Sequence, residues 1–198
     1  MDFVLKIQGV TKITNRKYLN LFSINYTDRH NQDKSCQIAS RKDIPKCVSG
    51  EFDLPDAVVI VPYHQKKQKL VLISEFRVAL GGFQYGFPAG LLDRNESVED
   101  AGARELKEET GLRVTRVLNV GPPVYSSSGM TDESVAMLYV ECDGEASKAG
   151  NESSEEINTL FVSPAEAALL LKHPEHPFDV KTWLVVSFFA AHGSVVLK

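Results

Sequence analysis

The pattern of apolar and polar positions predicts two buried strands near the middle of the chain. Residues 57–61 (Ala-Val-Val-Ile-Val) and 70–74 (Leu-Val-Leu-Ile-Ser) are short runs rich in β-branched side chains, which favour strands. A polar stretch over 62–69 separates the two runs. We therefore expect a hairpin of buried strands at the start of the main domain.

The first 50 residues show a weaker alternation of apolar and polar side chains. Strands are predicted over 3–7 and 19–26, where the alternation has a period of two residues. A thin, polar sheet is marginally stable alone, so we expect it to pack on the main domain or on a second subunit. Residues 51–56, which include a proline, are predicted to be a linker. The expected organisation is an N-terminal β segment over 1–50, which takes part in dimerisation and in the substrate pocket, and one domain over 51–198.

The remainder of the chain combines predicted strands with three predicted helices. The strands are expected over 113–120, 134–141 and 158–162, and the helices over 98–110, 165–172 and 179–191. The run Gly121-Pro122-Pro123 is expected to end the first of these strands, because proline lacks a backbone donor. Small polar residues over 142–154 indicate a mobile loop. The last helix is expected to pack through four side chains, Trp183, Val186, Phe189 and Ala190.

The predicted helix over 98–110 carries an unusual charge pattern. Ser97 followed by Asp100 indicates its N-terminal cap, and Gly111 indicates its C-terminal end. Near that end lie Glu105, Glu108 and Glu109, which are spaced i, i+3 and i+4 and therefore share one arc of about 100° on the helix surface. They lie where the helix dipole disfavours negative charge. From residue 96 to residue 111 the acids are Glu96, Glu99, Asp100, Glu105, Glu108 and Glu109, against the bases Arg104 and Lys107.

Two interpretations of this acidic arc are open from the spacing. A solvated acidic face is common on surface helices, whereas a bound divalent cation would explain why carboxylates that repel one another are placed together. Leu106 belongs to the row expected to pack inward, and Glu109 lies about 60° from it around the helix axis. Glu105 lies about 100° from Leu106, and Glu108 projects nearly opposite. Glu105 and Glu109 therefore flank the buried row, which favours the cation.

Composition and charge exclude several classes of function. The chain has 198 residues, 43% of them hydrophobic, which is enough for a normal core. Its net charge of −4 provides no basic footprint for nucleic acid. Cys36, Cys47 and Cys142 are odd in number and lack C-x-x-C spacing, so neither a zinc site nor a disulfide framework is indicated. Reduced thiols in a cytoplasm are the expectation.

Neither a secretion signal nor a membrane span is indicated. Met1-Asp2-Phe3 lacks the basic start of a signal peptide. The longest apolar run, 183–191, has nine residues and includes Ser187. A span needs about 20 apolar residues. We expect a cytoplasmic protein with no membrane partner.

The segment from Gly90 to Leu112 resembles the complete signature of a known family. Its order is Gly90, five residues, Glu96, seven residues, Arg104-Glu105-Leu106, one residue, Glu108-Glu109, one residue, and Gly111-Leu112. This is similar to the Nudix box, with every defining position filled. The resemblance implies an α/β fold of the Nudix type, an α/β/α sandwich with a mixed sheet, to which this chain adds the small N-terminal β segment.

The resemblance also implies a set of catalytic and metal-binding residues. Clustered carboxylates without softer ligands fit Mg²⁺ or Mn²⁺. Arg104 is expected to hold a glutamate by a bidentate pair. A late-loop acid, for which we favour Glu155 over Glu152 and Glu156, is expected to act as a general base or as a ligand. The expected metal ligands are the main-chain carbonyl of Ala89, which Pro88 and Gly90 flank, and the carboxylates of Glu105, Glu108, Glu109 and Glu155.

Two further stretches resemble ADP-ribose pyrophosphatases within the Nudix family. Arg77, at the end of a predicted strand, stands where those enzymes have an arginine that contacts the substrate. The hydroxyl-rich loop over 125–133 is similar to their substrate loop, although this chain has serine where they have proline. Gly86 stands where many relatives have an acid. The substrate residues that the resemblance implies are Arg77, Ser127, Ser128, Gly129 and Glu133.

Three functions follow from the resemblance. The first is hydrolysis of ADP-ribose or a related nucleoside diphosphate sugar, giving a nucleoside monophosphate and a sugar phosphate. The second is hydrolysis of another nucleotide, such as a dinucleotide cofactor or a nucleoside triphosphate. The third is nucleotide sensing without turnover, against which the intact acids Glu105, Glu108 and Glu109 argue. We expect the first function, in a homodimer.

Overall fold

The computed structural model describes residues 5–195, which form two compact units. The first unit runs up to Leu54 and also includes residues 125–134. The second unit comprises residues 55–124 and the chain from 135 onward. The N-terminal unit thus continues beyond residue 50 into the predicted linker, and it takes in a segment that sequence patterns assign to the main domain.

The first unit is built on a three-stranded antiparallel sheet in the order β1-β2-β3. Its strands are Lys6–Lys12, Asn20–Thr27 and Asp33–Ser40, and a short helix α1, Lys46–Ser49, follows. The predicted strand over 3–7 therefore lies further along the chain, and its first two residues fall outside the described residues. The backbone N–H of Ala39 in β3 donates to the carbonyl of Met130 at 2.8 Å, which attaches the 125–134 segment to this sheet.

The second unit contains a mixed seven-stranded sheet in the order β10-β5-β4-β9-β8, with β6 beside β5 and β7 beside β4. Strands β4 and β9 are parallel, and β4 and β5 form the predicted hairpin. The strands are β4 Ala57–His64, β5 Lys69–Arg77, β6 Gly82–Gly86, β7 Ala89–Leu91, β8 Arg113–Tyr125, β9 Ser134–Asp143 and β10 Ile157–Val162. The helices are α2 Val98–Thr110, α3 Pro164–Lys172 and α4 Val180–His192.

Strand β4 shows why helices cover both faces of this sheet. Val58 and Ile60 pack in one buried cluster with Leu106 of α2, whereas Val59 and Val61 pack in another with residues of α3 and α4. Successive side chains of a strand point to opposite faces, so a continuous apolar run requires cover on both. The second unit is accordingly an α/β/α sandwich, as the sequence predicts.

Two predictions about these elements are wrong. The run Gly121-Pro122-Pro123 does not end β8, which continues to Tyr125. Strand β8 lies at the edge of the sheet order, where proline is tolerated because there is no further neighbour on that side.

The other error concerns the packing face of α4. Val186 and Phe189 are fully buried, but Trp183 is 49% exposed. The inward row begins instead at Thr182, whose backbone N–H and hydroxyl both bond to Asp179 at 2.9 Å. Within residues 5–195, none of the helices is long and apolar enough to cross a membrane.

Candidate active site

Helix α2 carries the acidic arc, and its ends are those that the sequence predicts. The hydroxyl of Ser97 accepts from the backbone of Asp100 at 3.0 Å, and the left-handed Gly111 ends the helix. Leu106 is fully buried, which fixes the rotation of the helix on the sheet. As a result Glu109 is only 5% exposed, whereas the side chain of Glu108 is 50% exposed. The predicted order of burial around the arc is confirmed.

Strand β7 brings its backbone directly against the carboxylate of Glu105. A Cβ atom added to Gly90 would lie 2.6 Å from Oε2 of Glu105, and nearer still to Cδ and Oε1. Non-bonded atoms do not approach this closely, so any larger residue would displace the carboxylate. Glycine at this position thus allows β7 and Glu105 to be neighbours.

Helix α2, strand β7 and the loop before β10 enclose a polar cavity of about 570 Å³. The six predicted catalytic and metal-binding residues all line it: Ala89, Arg104, Glu105, Glu108, Glu109 and Glu155. Glu156, one of the three late-loop candidates, is not among the lining residues, and its side chain pairs with Lys148 at 3.3 Å. The lining comprises Ala89, Gly90, Leu91, Asp93, Arg104, Glu105, Glu108, Glu109, Gly150, Glu152 and Glu155.

Arg104 connects two acids of α2 with Glu96, which precedes the helix. Its Nη1 lies 2.6 Å from a carboxylate oxygen of Glu105 and 3.3 Å from one of Glu108. Its Nε and Nη2 donate to both oxygens of Glu96 at 3.0 and 2.9 Å, the bidentate pair that guanidinium geometry favours. These hydrogen bonds lower the pKa of Glu96 to about 2. Arg104 therefore holds Glu105 in place while Glu96 anchors the guanidinium.

Glu109 is the most perturbed acid of the cavity. Burial, followed by the charge of Glu75, raises its pKa from 4.5 to about 9, although a hydrogen bond with the backbone of Ala89 opposes the shift. Its Oε2 atom is buried and has no hydrogen-bond partner among the described residues. The pKa of Glu105 is also raised by burial, against the effect of Arg104. A cation in the cavity would stabilise the ionised form of both carboxylates and so offset the effect of burial on both pKa values.

Glu75 is an acid that sequence reasoning missed; it does not line the cavity, but its charge acts on Glu109. It follows the buried run of β5 directly, its side chain is 17% exposed, and it pairs with Arg77 at 2.8 Å. Burial raises its pKa, and the charge of Glu155 raises it further. The only signal in the sequence is an acid two residues before Arg77 and directly after the buried run 70–74. That signal is weak, because acids commonly end strands at the surface.

The predicted substrate residues lie in both units. Arg77 is at the end of β5, where it pairs with Glu75 and is not among the residues that line the cavity. Glu133 belongs to the first unit, where it pairs with Arg41 at 2.7 Å. The carbonyl of Ser127 accepts from the backbone N–H groups of Met130 and Thr131, which forms a tight turn. Ser128 and Gly129 are exposed at this turn.

The donor set of the cavity fits a hard divalent cation. Its lining offers carboxylates and backbone carbonyls but no thiolate or imidazole, which is the chemistry that Mg²⁺ and Mn²⁺ prefer. The buried, unpartnered Oε2 of Glu109 is a free acceptor at the inner wall. Among residues 5–195 no three His, Cys, Asp or Glu side chains are gathered closely enough to hold an ion as they stand. Glu105 is turned toward Arg104 instead.

Comparisons with known proteins agree with this geometry. A family model described as the NUDIX domain matches residues 53–184. The chain is 35% identical over 114 residues to putative nudix hydrolase 2 of Caenorhabditis elegans. This alignment covers 54% of this chain and 51% of that protein. It is 28% identical over 141 residues to the ADP-ribose pyrophosphatase of Saccharomyces cerevisiae, with coverages of 71% and 59%. The matches thus span between half and three fifths of these relatives.

A solved structure supports the fold independently. The crystal structure of an ADP compounds hydrolase superposes with a TM-score of 0.73 and covers 97% of both chains. The two sequences are 19% identical, so this likeness concerns the fold alone.

Proposed function

This chain belongs to the Nudix family, and we propose that it is a divalent-metal-dependent pyrophosphatase that hydrolyses ADP-ribose or a related nucleoside diphosphate sugar. The products would be a nucleoside monophosphate and a sugar phosphate. The proposal draws on the similarity to the ADP-ribose pyrophosphatase of yeast and on the residues of the cavity. The observation that carries it is the buried Glu109 carboxylate with an unpartnered Oε2, beside Glu105 in a polar cavity.

The residues proposed to hold the cation are those that already surround the cavity. Glu105 and Glu109 would be the principal ligands, with the carbonyl of Ala89 and the more exposed Glu108 assisting. When bound, Mg²⁺ or Mn²⁺ would neutralise the charge of the diphosphate and favour ionisation of the attacking water. Arg104 would keep Glu105 oriented through the pair at 2.6 Å, because Glu96 fixes the guanidinium from the other side.

Glu155 is proposed as the general base. Its side chain lines the cavity on the side of the loop before β10, and its Oε2 accepts from the backbone N–H of Glu152 at 2.9 Å. The base would accept a proton from water as the water oxygen bonds to phosphorus and the bridging P–O bond breaks. The departing phosphate carries away the electrons of that bond. Glu152 is the alternative, since it also lines the cavity.

Several features of the substrate complex stay predictions. The residues proposed to contact the nucleotide are those that the resemblance to ADP-ribose pyrophosphatases implies: Arg77, Ser127, Ser128, Gly129 and Glu133. Residues 1–50 are proposed to complete the substrate pocket and to mediate a homodimer. A cytoplasmic location stays a prediction as well.

Incubation with a panel of nucleotides tests the proposal. Purified protein with Mg²⁺ is expected to release AMP and ribose 5-phosphate from ADP-ribose, and chromatography of the products measures this. GDP-mannose, NADH and ATP in the same panel separate sugar nucleotides from dinucleotides and triphosphates. A preference for ATP would contradict the proposed substrate class. Tight binding of ADP-ribose without turnover, in the presence of either Mg²⁺ or Mn²⁺, would contradict the proposed enzymatic function and favour a nucleotide sensor.

Glu75→Gln is expected to raise the KM for the best substrate about 5-fold, with a smaller change in kcat. The pair at 2.8 Å orients Arg77, and the loss of one partly exposed ion pair is worth about 1 kcal/mol. Steady-state kinetics measure both constants. Glu145→Gln is the matched control, because Glu145 pairs with Lys67 and is not a lining residue of the cavity. An unchanged KM in Glu75→Gln would show that its pair with Arg77 does not position the substrate.

A further inference from the structure

The C-terminal end of α2 is closed by a segment that lies between β9 and β10. We call residues 147–151 the strap. The backbone N–H of Ser147 donates to the carbonyl of Thr110 at 2.8 Å. The side-chain amide of Asn151 faces the carbonyls of Glu108 and Glu109, and the orientation of the amide that satisfies both is the one in which its nitrogen donates to them, at 3.2 and 3.3 Å. The strap is therefore bonded to the residues that carry two of the proposed metal ligands.

These bonds account for all four carbonyls that a helix leaves unpaired at its end. In α2 they belong to residues 107–110. Gly111 satisfies the carbonyl of Lys107 at 2.9 Å, and the strap satisfies the other three. Helix ends usually rely on water or on local turns for this. Here a distant segment is used, so the position of the strap and the end of the helix are fixed together.

Gly150 makes the close approach of the strap possible. A Cβ atom at this residue would lie 2.6 Å from the carbonyl oxygen of Glu108 and 2.9 Å from its Cα. Both are backbone atoms, which cannot turn aside as a flexible side chain can. The strap thus fits against the helix only with glycine at this position.

The strap leads directly into the proposed base. Glu152 follows Asn151, and the backbone N–H of Glu155 donates to the carbonyl of Glu152 at 3.0 Å, which closes a turn. Both acids line the cavity that Glu105 and Glu109 line from the helix. Composition predicts a mobile loop here, but these bonds attach it to α2. The strap is the covalent link between the helix end and the turn.

We propose that Asn151 is a positioning residue, which holds the Glu152–Glu155 turn across the cavity from the acids of α2, and that Gly150 is required for this contact. The proposal rests on the proposed function and extends it. Asn151 does not touch the reacting atoms; it acts through Glu152 and Glu155. The base and the metal ligands then keep their spacing because one amide joins the strap to the backbone of Glu108 and Glu109.

Asn151→Asp tests the proposal, because it keeps the shape of the side chain and removes the two N–H donors. The kcat for the best substrate is expected to fall 10- to 100-fold, with KM changed less than about 3-fold. In metal-free protein, amide hydrogen exchange over 147–156 is expected to be at least about 10-fold faster, while 57–77 stays as protected as in the wild type. Gly150→Ala is expected to reproduce both effects by displacing the same contact.

Asn158→Asp is the matched control, since it makes the same exchange in β10 and keeps the oxygen that accepts from Lys148 at 2.8 Å. A wild-type kcat in Asn151→Asp would overturn the positioning role, and so would unchanged exchange over 147–156. Rapid exchange over 57–77 as well would mean a general loss of stability and would also overturn it. If the wild type hydrolyses none of the nucleotides, the proposed function has failed, and the exchange result still decides whether Asn151 holds the turn.

Discussion

Replacing Glu109 with glutamine is expected to lower kcat on the order of 1,000-fold in the presence of Mg²⁺. The substitution keeps the shape of the side chain and removes the charge that a cation would bind at the inner wall of the cavity. Loss of a group that stabilises charge in a closed site typically costs a factor of 10² to 10³. Initial rates on the best substrate, over a range of Mg²⁺ concentrations, measure the effect.

The same variant is expected to be more stable than the wild type when metal is removed. Burial raises the pKa of Glu109 from 4.5 to about 9, so its contribution to stability is complete below about pH 4.5. That contribution is lost as the pH rises toward 9, because the carboxyl ionises freely in the unfolded chain while burial keeps it protonated in the folded protein. Glutamine does not ionise, so the variant does not lose stability in this way as the pH rises. At pH 7 the difference in the free energy of unfolding is expected to be up to about 3 kcal/mol.

Thermal unfolding in EDTA between pH 5 and 9 checks this, and the advantage of the variant should grow with pH. Added Mg²⁺ should stabilise the wild type and leave Glu109→Gln unchanged. Glu99→Gln is the control, because Glu99 is exposed in the first turn of the same helix and does not line the cavity. Full activity in Glu109→Gln would refute its assignment as a metal ligand.

Gly90→Ala is expected to lower kcat about 100-fold or more while the protein still folds. The new Cβ would lie 2.6 Å from Oε2 of Glu105 and nearer to other carboxylate atoms. These atoms end a flexible side chain, so the carboxylate can swing away at modest cost in stability. It would then leave Arg104, which holds it at 2.6 Å, and lose its orientation toward the cavity. Misplacing a catalytic group by about 1 Å can cost a factor of 10².

Kinetics and thermal unfolding together measure this outcome, with Gly9→Ala as the control. A Cβ at Gly9 would meet no atom within 4 Å, and its backbone is not in the left-handed region. The double variant Gly90→Ala/Glu105→Gln should be no worse than Glu105→Gln alone, because both changes act on one carboxylate. Additive losses would mean that Gly90 acts through some other group.

The sequence predicts α2 more completely than any other element. Its cap at Ser97, its end at Gly111 and the burial of Glu109 beside Leu106 all follow from spacing along one helix. The same local rules place the β4–β5 hairpin and the start of α3 at Pro164. These features depend on neighbours within a few residues, so they can be predicted from the local sequence.

Predictions that depend on the position of an element in the sheet were less reliable. Pro122 and Pro123 end a strand in most contexts, but β8 is an edge strand and continues through them. Trp183 is apolar enough to pack inward, but the inner row of α4 starts one residue earlier, at Thr182. Both outcomes are decided by which neighbour is present, and periodicity does not specify the neighbour.

The sequence by itself determined the family signature and the acidic arc of α2, because the periodicity of one helix fixes which side chains share a face. Only the tertiary structure decided that Glu75 lies near enough to Glu109 to raise its pKa, that Gly90 must leave room for Glu105, and that Asn151 closes the helix end. These relations join segments that are far apart along the chain. They arise when strands and loops pack against one another, and no local pattern of residues encodes that packing.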